Sequence, residues 1–479
     1  SGDSLKPTVE MSKDTALPYT VQYAESDFSF LCRIAQKKGQ WFFFNGEELQ
    51  FGKPKSKNFT LDYGRSLHSF NIEMRAKSLG FEYLGYDPSN GDTQKASSAE
   101  VDYQPQDGYS KAIFESSKKL FTNTSTMLYS HSLEEGNSRT HLIDRVTTQL
   151  QSRTADMVTA KGESDETGLR IGDVVSIKEP AFSLTGNILD GLQEQNFGNY
   201  IITDIMHVCD ESGTYHNTFD AVPESVVAPP YGNVHSFPTA ESQPATVISN
   251  ADPAGLGRVK VAFAWQKDAG KSTPWIRMVN SHSGGGKGFY FVPEVGEEVL
   301  VAFEGGNAEK PFVLGAMYNG SASSGYSTSG NDKKVIQTRS GTKIIMDDAA
   351  GSVFIEDPSG NTWLMDGQGN IDVNAPNNMK ITVGKNLDIN VGENMATTIG
   401  ANENISVGSN KTETIGKNYI QSSENKNVTV KNNKTDNVGE SYRQITGNSD
   451  IQTSKGDLKL RGTTLTVIQG GKDVKVSKG

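Results

Sequence analysis

The chain has 479 residues, 57 of them acidic and 46 basic, for a net charge of −11; at about 150 residues per domain this is room for roughly three units. An acidic excess favours solubility and repels polyanions, which argues against a general nucleic-acid binder. The longer apolar runs, such as residues 299–303 and 41–44, fall far short of the ~20 needed for a membrane helix, and the opening SGDSLKPTVE has neither the basic start nor the apolar stretch of a secretory signal, so no stable membrane insertion is expected. The two cysteines, Cys32 and Cys209, suit a reducing compartment and exclude a disulfide scaffold or a four-cysteine zinc site.

Residues 22–52 read as strand, helix, strand. Across 25–38, Phe28, Leu31, Cys32 and Ala35 recur at three and four residues, with Ser26 placed to cap the start and Gly39 to stop the end. This predicts an amphipathic helix with Cys32 as a packed core thiol, followed by a buried strand from Trp41. Segments 168–177, 200–207 and 213–223 are strand-like. His207 and His216 within them have no partners at metal-ligand spacing, so hydrogen bonding is their expected role. Pro229, Pro230, Pro238 and Pro244 punctuate a linker over 226–244.

Residues 245–320 carry GRVKVAFAW, PWIRMV, GFYFVPEVGEEVLVAF and PFVLGAMYNG, short apolar strands broken by Gly and Pro, which fit a five-stranded oligonucleotide/oligosaccharide-binding (OB) barrel. Seven Lys/Arg balance seven Asp/Glu there, whereas a groove tracking phosphates needs a basic excess and stacking aromatics. A structural barrel is expected. The glycine-rich loop 283–288 lacks the spacing and the following helix of a phosphate cradle and reads as a barrel loop.

From residue 381 the sequence repeats every eight residues: ITVGKNLD, INVGENMA, TTIGANEN, ISVGSNKT, ETIGKNYI. Gly384, Gly392, Gly400, Gly408 and Gly416 are in phase, each after an aliphatic residue (Val383, Val391, Ile399, Val407, Ile415), with Ile381, Ile389 and Ile405 two residues earlier. Aliphatic pairs spaced by two face one side of a strand, and glycine with positive φ is expected to turn the corner into the next. Gly416 and Gly439 are 23 residues apart, one short of three octads, so the register slips once. Residues 409–450 hold only eight large apolar side chains, too few for a lone chain to offset its own entropy. Three readings compete with an assembly: a disordered tail, which would not keep strict phasing; a monomeric β-helix, which needs a richer interior; and a calcium-binding solenoid, which repeats at nine residues. The favoured reading winds identical chains together so that three thin apolar stripes meet on an axis. The chain closes on alternating strand sequence with Leu465, Val467, Ile468, Val474 and Val476 and no helix, aromatic plug or metal ligand to seal the end.

Those blocks, in that order, resemble the VgrG spike family of type VI secretion systems and the related hub and spike proteins of contractile phage tails. QYAESDFSFLCRIAQKKGQWFFF looks like the family's hub segment, His207 with Gly213-x-Tyr215-x-Asn217-x-Phe219 like the close of its hub, the 245–320 strings like its OB barrel, and the octads like its needle. The resemblance implies a mainly β protein: a hub portion with β-barrel character over 1–240, an OB-fold barrel over 245–320 and an intertwined trimeric β-helix over 336–479. The family has about a hundred further residues ahead of the hub segment, so the hub is expected to be N-terminally incomplete. The implied function is a non-enzymatic, cell-puncturing homotrimer that links an inner-tube (Hcp-like) ring at the hub to a PAAR-type tip protein and delivers effectors or adaptors. It would assemble in the cytoplasm and be translocated into a target cell without a signal peptide. The trimer core would comprise Ile381, Val383, Ile389, Val391, Ile399, Ile405, Val407 and Ile415, and the tip platform Leu465, Val467, Ile468, Val474 and Val476. No catalytic residue, metal or cofactor is expected. The alternatives are the spike of a phage tail or extracellular injection particle, or a needle carrying a cell-wall hydrolase, for which no catalytic constellation is evident.

Overall fold

The structure, a computed structural model, describes residues 7–11, 17–134, 136–181 and 193–477; the opening SGDSLK and the closing Lys478 and Gly479 lie outside it. It is mainly β and divides into two units, residues 1–379 and 380–479.

The first unit begins with a three-stranded sheet of Pro7–Glu10, Leu49–Gly52 and Phe42–Phe44. Helix α1, Asp27–Lys38, falls in sequence between the first of these strands and the other two; the Ser26 hydroxyl accepts from Ser29 N and Gly39 closes the helix in the left-handed region at φ 61°. The predicted helix is therefore present, but its buried face differs from the expected one. Phe28 and Leu31 are exposed and Cys32 is half-buried, while Arg33, Ile34, Ala35 and Lys37 face inward. The reason is an acidic partner in the barrel, described below.

A six-stranded sheet follows, in the order Asn58–Asp62, Val174–Ala181, Gln193–Cys209, Tyr215–Pro223, Val158–Ser164, Leu67–Met74. Its two edge strands meet again through a bridge between Tyr63 and Leu67, so the sheet curls round a core that includes Leu61, Val175, Tyr200, Ile202 and Phe219. The Tyr215-x-Asn217-x-Phe219 pattern has a structural explanation here. Asn217 is fully buried, accepting from Ser164 Oγ at 3.0 Å and donating to the Glu166 carbonyl at 2.9 Å and to Tyr215 Oη at 3.1 Å. The Phe219 ring lies where a Cβ on Gly162 would sit 2.4 Å from its Cζ. His207 Nδ1 is paired with Tyr215 Oη at 2.7 Å.

Two helices were not anticipated: α2, Gly108–Leu120, capped by the Asp107 carboxylate, and α3, Ser138–Thr154. They pack Phe114 and the four-spaced Leu142, Val146 and Leu150 on a small sheet of Phe81–Asp87, Asp92–Ser97 and Ser125–Leu128. The proline-rich stretch 226–244 is a packed strap rather than a free tether: Tyr231 Oη accepts from Phe42 N at 2.6 Å, and Asn233 N donates to the Gln36 carbonyl at 2.9 Å.

The OB region is a sheet of Lys260–Phe263, Gln243–Ser249, Glu298–Phe303 and Pro311–Ala316. Segment 276–279, expected as a full strand, makes only bridges. Ile276 pairs with Val259, and Met278 with Val313, so it spans the sheet's two edges round a core of Val247, Val261, Phe263, Val299, Val301 and Val313. Two further expectations are corrected. Ala264–Lys267, carrying Trp265, is a helical turn, and residues 289–291 are irregular, with exposed Phe289, Tyr290 and Phe291.

Residues 333–374 then form a five-stranded antiparallel meander, Lys333–Gln337, Lys343–Asp347, Ser352–Glu356, Thr362–Met365 and Ile371–Asn374, in sequential order. Asx turns close two of its hairpins: Asp357 accepts from Ser359 N and Asn361 N, and Asp366 from Gln368 N and Asn370 N. Register places Ile336, Ile344, Ile355, Trp363 and Val373 in one row, with Lys334, Met346, Val353, Met365 and Ile371 in the next row of the same face. Nine of those ten residues are apolar. Beyond Val313 no described residue is buried.

In the second unit the chain runs extended and bends at regular intervals. Bends fall at 384–385, 392–393, 400–401, 408–409, 416–417, 424, 431–432, 439–440, 447, 454–456, 463–464 and 471–472. The eight-residue rhythm thus extends well past the five clear octads, and the single slip lies between the bends at 424 and 431. None of the five octad glycines has positive φ, which overturns the expected left-handed corner: a bend in an extended chain keeps φ negative, where any residue is allowed.

Candidate functional site

Two arrangements stand out, one buried and one exposed. The buried one joins α1 to the OB barrel. Glu309 accepts from Arg33 Nη1 at 2.9 Å and Lys37 Nζ at 2.5 Å, while His131 Nδ1 lies 3.3 Å from its Oε2. Arg33 reaches back to Glu25 at 2.7 Å and to the Val21 carbonyl at 2.8 Å, so two cations and two carboxylates neutralise one another. Arg33, Lys37, His131 and Glu309 are all buried. Burial alone raises the Glu309 carboxyl, but the His131 hydrogen bond and the Lys37 charge outweigh it and hold it at about 2. Burial pushes Lys37 down despite Glu309, and His131 down as well. Next to this clasp the Asn307 amide donates to the Ser130 carbonyl at 2.7 Å. Residues 25–37, 130–131 and 307–309 are far apart in sequence, so no local motif announced the cluster; its one trace was two cations, Arg33 and Lys37, spaced by four on a helix.

Beside the clasp, Tyr129 is ringed by His131, His141 and His235, with centroids 5.6, 5.9 and 5.9 Å away. His141 Nδ1 accepts from Glu134 N at 3.1 Å, a role open only to an unprotonated nitrogen. Burial lowers His141 and His235 to about 4 each.

The exposed arrangement is the octad ladder. Val383, Val391, Ile399, Val407 and Ile415, each just before a bend, are 45–49% exposed, and Ile381, Ile389 and Ile405 are 62–66% exposed. Leu465, Val467, Ile468, Val474 and Val476 are likewise exposed, Val476 at 94%. Among the described residues of the second unit no backbone N–H donates to a backbone carbonyl of the chain. A Cβ added at any of the five octad glycines meets nothing within 4 Å. Neither φ nor the chain's own packing requires glycine there.

Among the described residues no group of three or more His, Cys, Asp or Glu is placed to hold a metal ion, and no helix is long and apolar enough to cross a membrane.

The type VI secretion system/phage-baseplate injector OB domain matches residues 243–318. The type VI secretion system spike protein VgrG5 of Pseudomonas aeruginosa is 27% identical over 342 residues, covering 64% of this chain. The chain spans only 40% of that relative's own length. The actin cross-linking toxin VgrG1 of Vibrio cholerae is 28% identical over 191 residues, 34% of this chain and 15% of that protein. Among solved structures, an Escherichia coli type VI secretion component described as similar to the phage T4 tail proteins gp27 and gp5 aligns with a TM-score of 0.36 at 17% identity, covering 66% of this chain and 67% of that one. Residues 243–318 thus match an injector OB domain of the type VI secretion and phage-baseplate kind, on a chain that is similar to VgrG spike proteins.

Proposed function

We propose that three copies of this chain wind their octads together into the puncturing shaft of a contractile injection machine. The observation that carries this reading is the uncovered state of the second unit. Extended backbone leaves N–H and C=O groups that need partners, and an aliphatic ladder in phase with regular bends needs a surface to lie on. Among the described residues the chain supplies neither to itself. Octad glycines, which nothing within the chain requires, fit corners that another backbone approaches closely. Three stripes on one axis convert each row of exposed Val and Ile into core.

In this reading the hub seats on an inner-tube ring, the Glu309 clasp holds the OB region to the hub, and the closing segment with Leu465, Val467, Ile468, Val474 and Val476 forms the platform for a small PAAR-type tip protein. The role is mechanical, with effectors or adaptors as cargo, and the spike passes from the cytoplasm where it assembles into the struck cell. Light scattering of the purified chain tests it. A mass of three chains is expected, and a monodisperse monomer overturns the reading.

A further inference from the structure

The octads pose a problem of register. Shifting one copy by eight residues places Val407 against Ile415 and Gly408 against Gly416, so each of the first four octads' glycines and the aliphatic residue before it are matched again and slipped pairings compete with the correct one. The seven-residue spacing between the bends at 424 and 431 penalises a slip only once strands have zipped past it. Register must be set by something aperiodic.

The meander of residues 333–374 has the required properties. Its backbone is already paired within the chain, so it needs no other copy in order to form. Its apolar face carries side chains of unequal size in a non-repeating order, and Ile336, Ile355, Trp363 and Val373 on it are 40–46% exposed. The only charge on that face, Lys334, is neutralised at home by Asp348 at 2.5 Å and the Asn331 carbonyl at 2.7 Å, so identical faces meet without like-charge repulsion. Six residues of sequence separate its last strand from the first octad.

We propose that this face packs against the same face of the other two copies, that the copies first meet there, and that this contact fixes the register in which the octads zip. The proposal rests on the trimer reading above, and the experiment separates the two. In the full chain with Cys32→Ser and Cys209→Ser, copies bearing Val407→Cys are co-expressed with copies bearing Ile415→Cys and oxidised. Cross-links between like positions report correct register, and 407–415 cross-links report an eight-residue slip. With the meander intact, like-position cross-links should dominate. With Ile355→Lys and Trp363→Lys, the single register should be lost, seen either as abundant 407–415 cross-links or as failure to trimerise while the melting of hub and barrel is unchanged. Ile355→Val with Trp363→Phe should restore it. In-register trimers in undiminished yield from the double-lysine chain overturn this proposal alone. A parent chain that is monomeric by mass overturns the trimer reading itself.

Discussion

Glu309 neutralises two buried cations on a helix 272 and 276 residues away in sequence, so its loss is felt on both sides of the joint. Glu309→Gln keeps the shape and removes the charge, and should cost about 3–5 kcal/mol, because a broken buried pair leaves its partner uncompensated. Calorimetry should show a lower melting temperature. Replacing all three partners together, Arg33→Met, Lys37→Met and Glu309→Leu, should recover much of it. The histidines give a pH signature. His131, His141 and His235 are all lowered, so below pH ~6.5 the unfolded chain binds protons that the folded chain refuses. Their contribution to stability is present above that pH and is lost as pH falls toward about 4. Glu309 adds a further loss only as pH falls from about 4.5 toward 2. Melting followed from pH 8 to 4 should decline, and His141→Gln, which keeps an acceptor for Glu134 N, should flatten the decline. An unchanged slope would remove His141 from this account. At this scale the sequence was misleading where it was most regular: Phe28 and Leu31 made a stripe at helical spacing, yet a carboxylate contributed by the barrel turned Arg33 and Lys37 inward instead.

Elements whose pattern is local were legible, and elements defined by distant partners were not. Strand Glu298–Phe303 and the hairpin of Gln193–Cys209 with Tyr215–Pro223 show their alternation directly. Segment 274–279 reads equally well as a strand, but edge geometry allows it only bridges. Helix α3 hid because Leu142, Val146 and Leu150 are spread among Thr, Gln and Ser, a narrow stripe on a polar helix. The six-stranded sheet has its own test. Gly162→Ala would place a methyl 2.4 Å from the Phe219 ring, and overpacking of this kind costs about 1–3 kcal/mol. Pairing it with Phe219→Leu should restore part of the loss in thermal melts; no change from the single substitution would mean the strands have slack at that point.

For the whole molecule, the contrast lies between a first part with four buried clusters and everything after Val313, where burial stops. Val391→Asp or Val407→Asp would bring like charges onto one axis, and unpaired buried charge costs several kcal/mol, so the mass should fall to that of one chain while hub and barrel still melt cooperatively. Hydrogen exchange offers an independent check: amides of 380–477 should be protected in the assembled protein and unprotected in either aspartate variant. At the far end, deleting residues 474–479 should leave the trimer and abolish co-purification of a tip protein; full binding by the truncated chain would move that platform elsewhere. The octads advertised themselves by repetition. What they pair with was not legible, because among the described residues of the second unit no backbone hydrogen bond names a partner strand.

Among the described residues, successive octads whose backbones never hydrogen-bond to each other have a topological consequence. If the strands between them come from other copies, the three chains are interlaced like a braid. Braided chains cannot be parted sideways, however few kilocalories each rung contributes; they must unthread from a free end, past every rung in turn. Resistance to separation then grows with the number of bends rather than with the strength of any contact, which suits a shaft that is loaded along its axis.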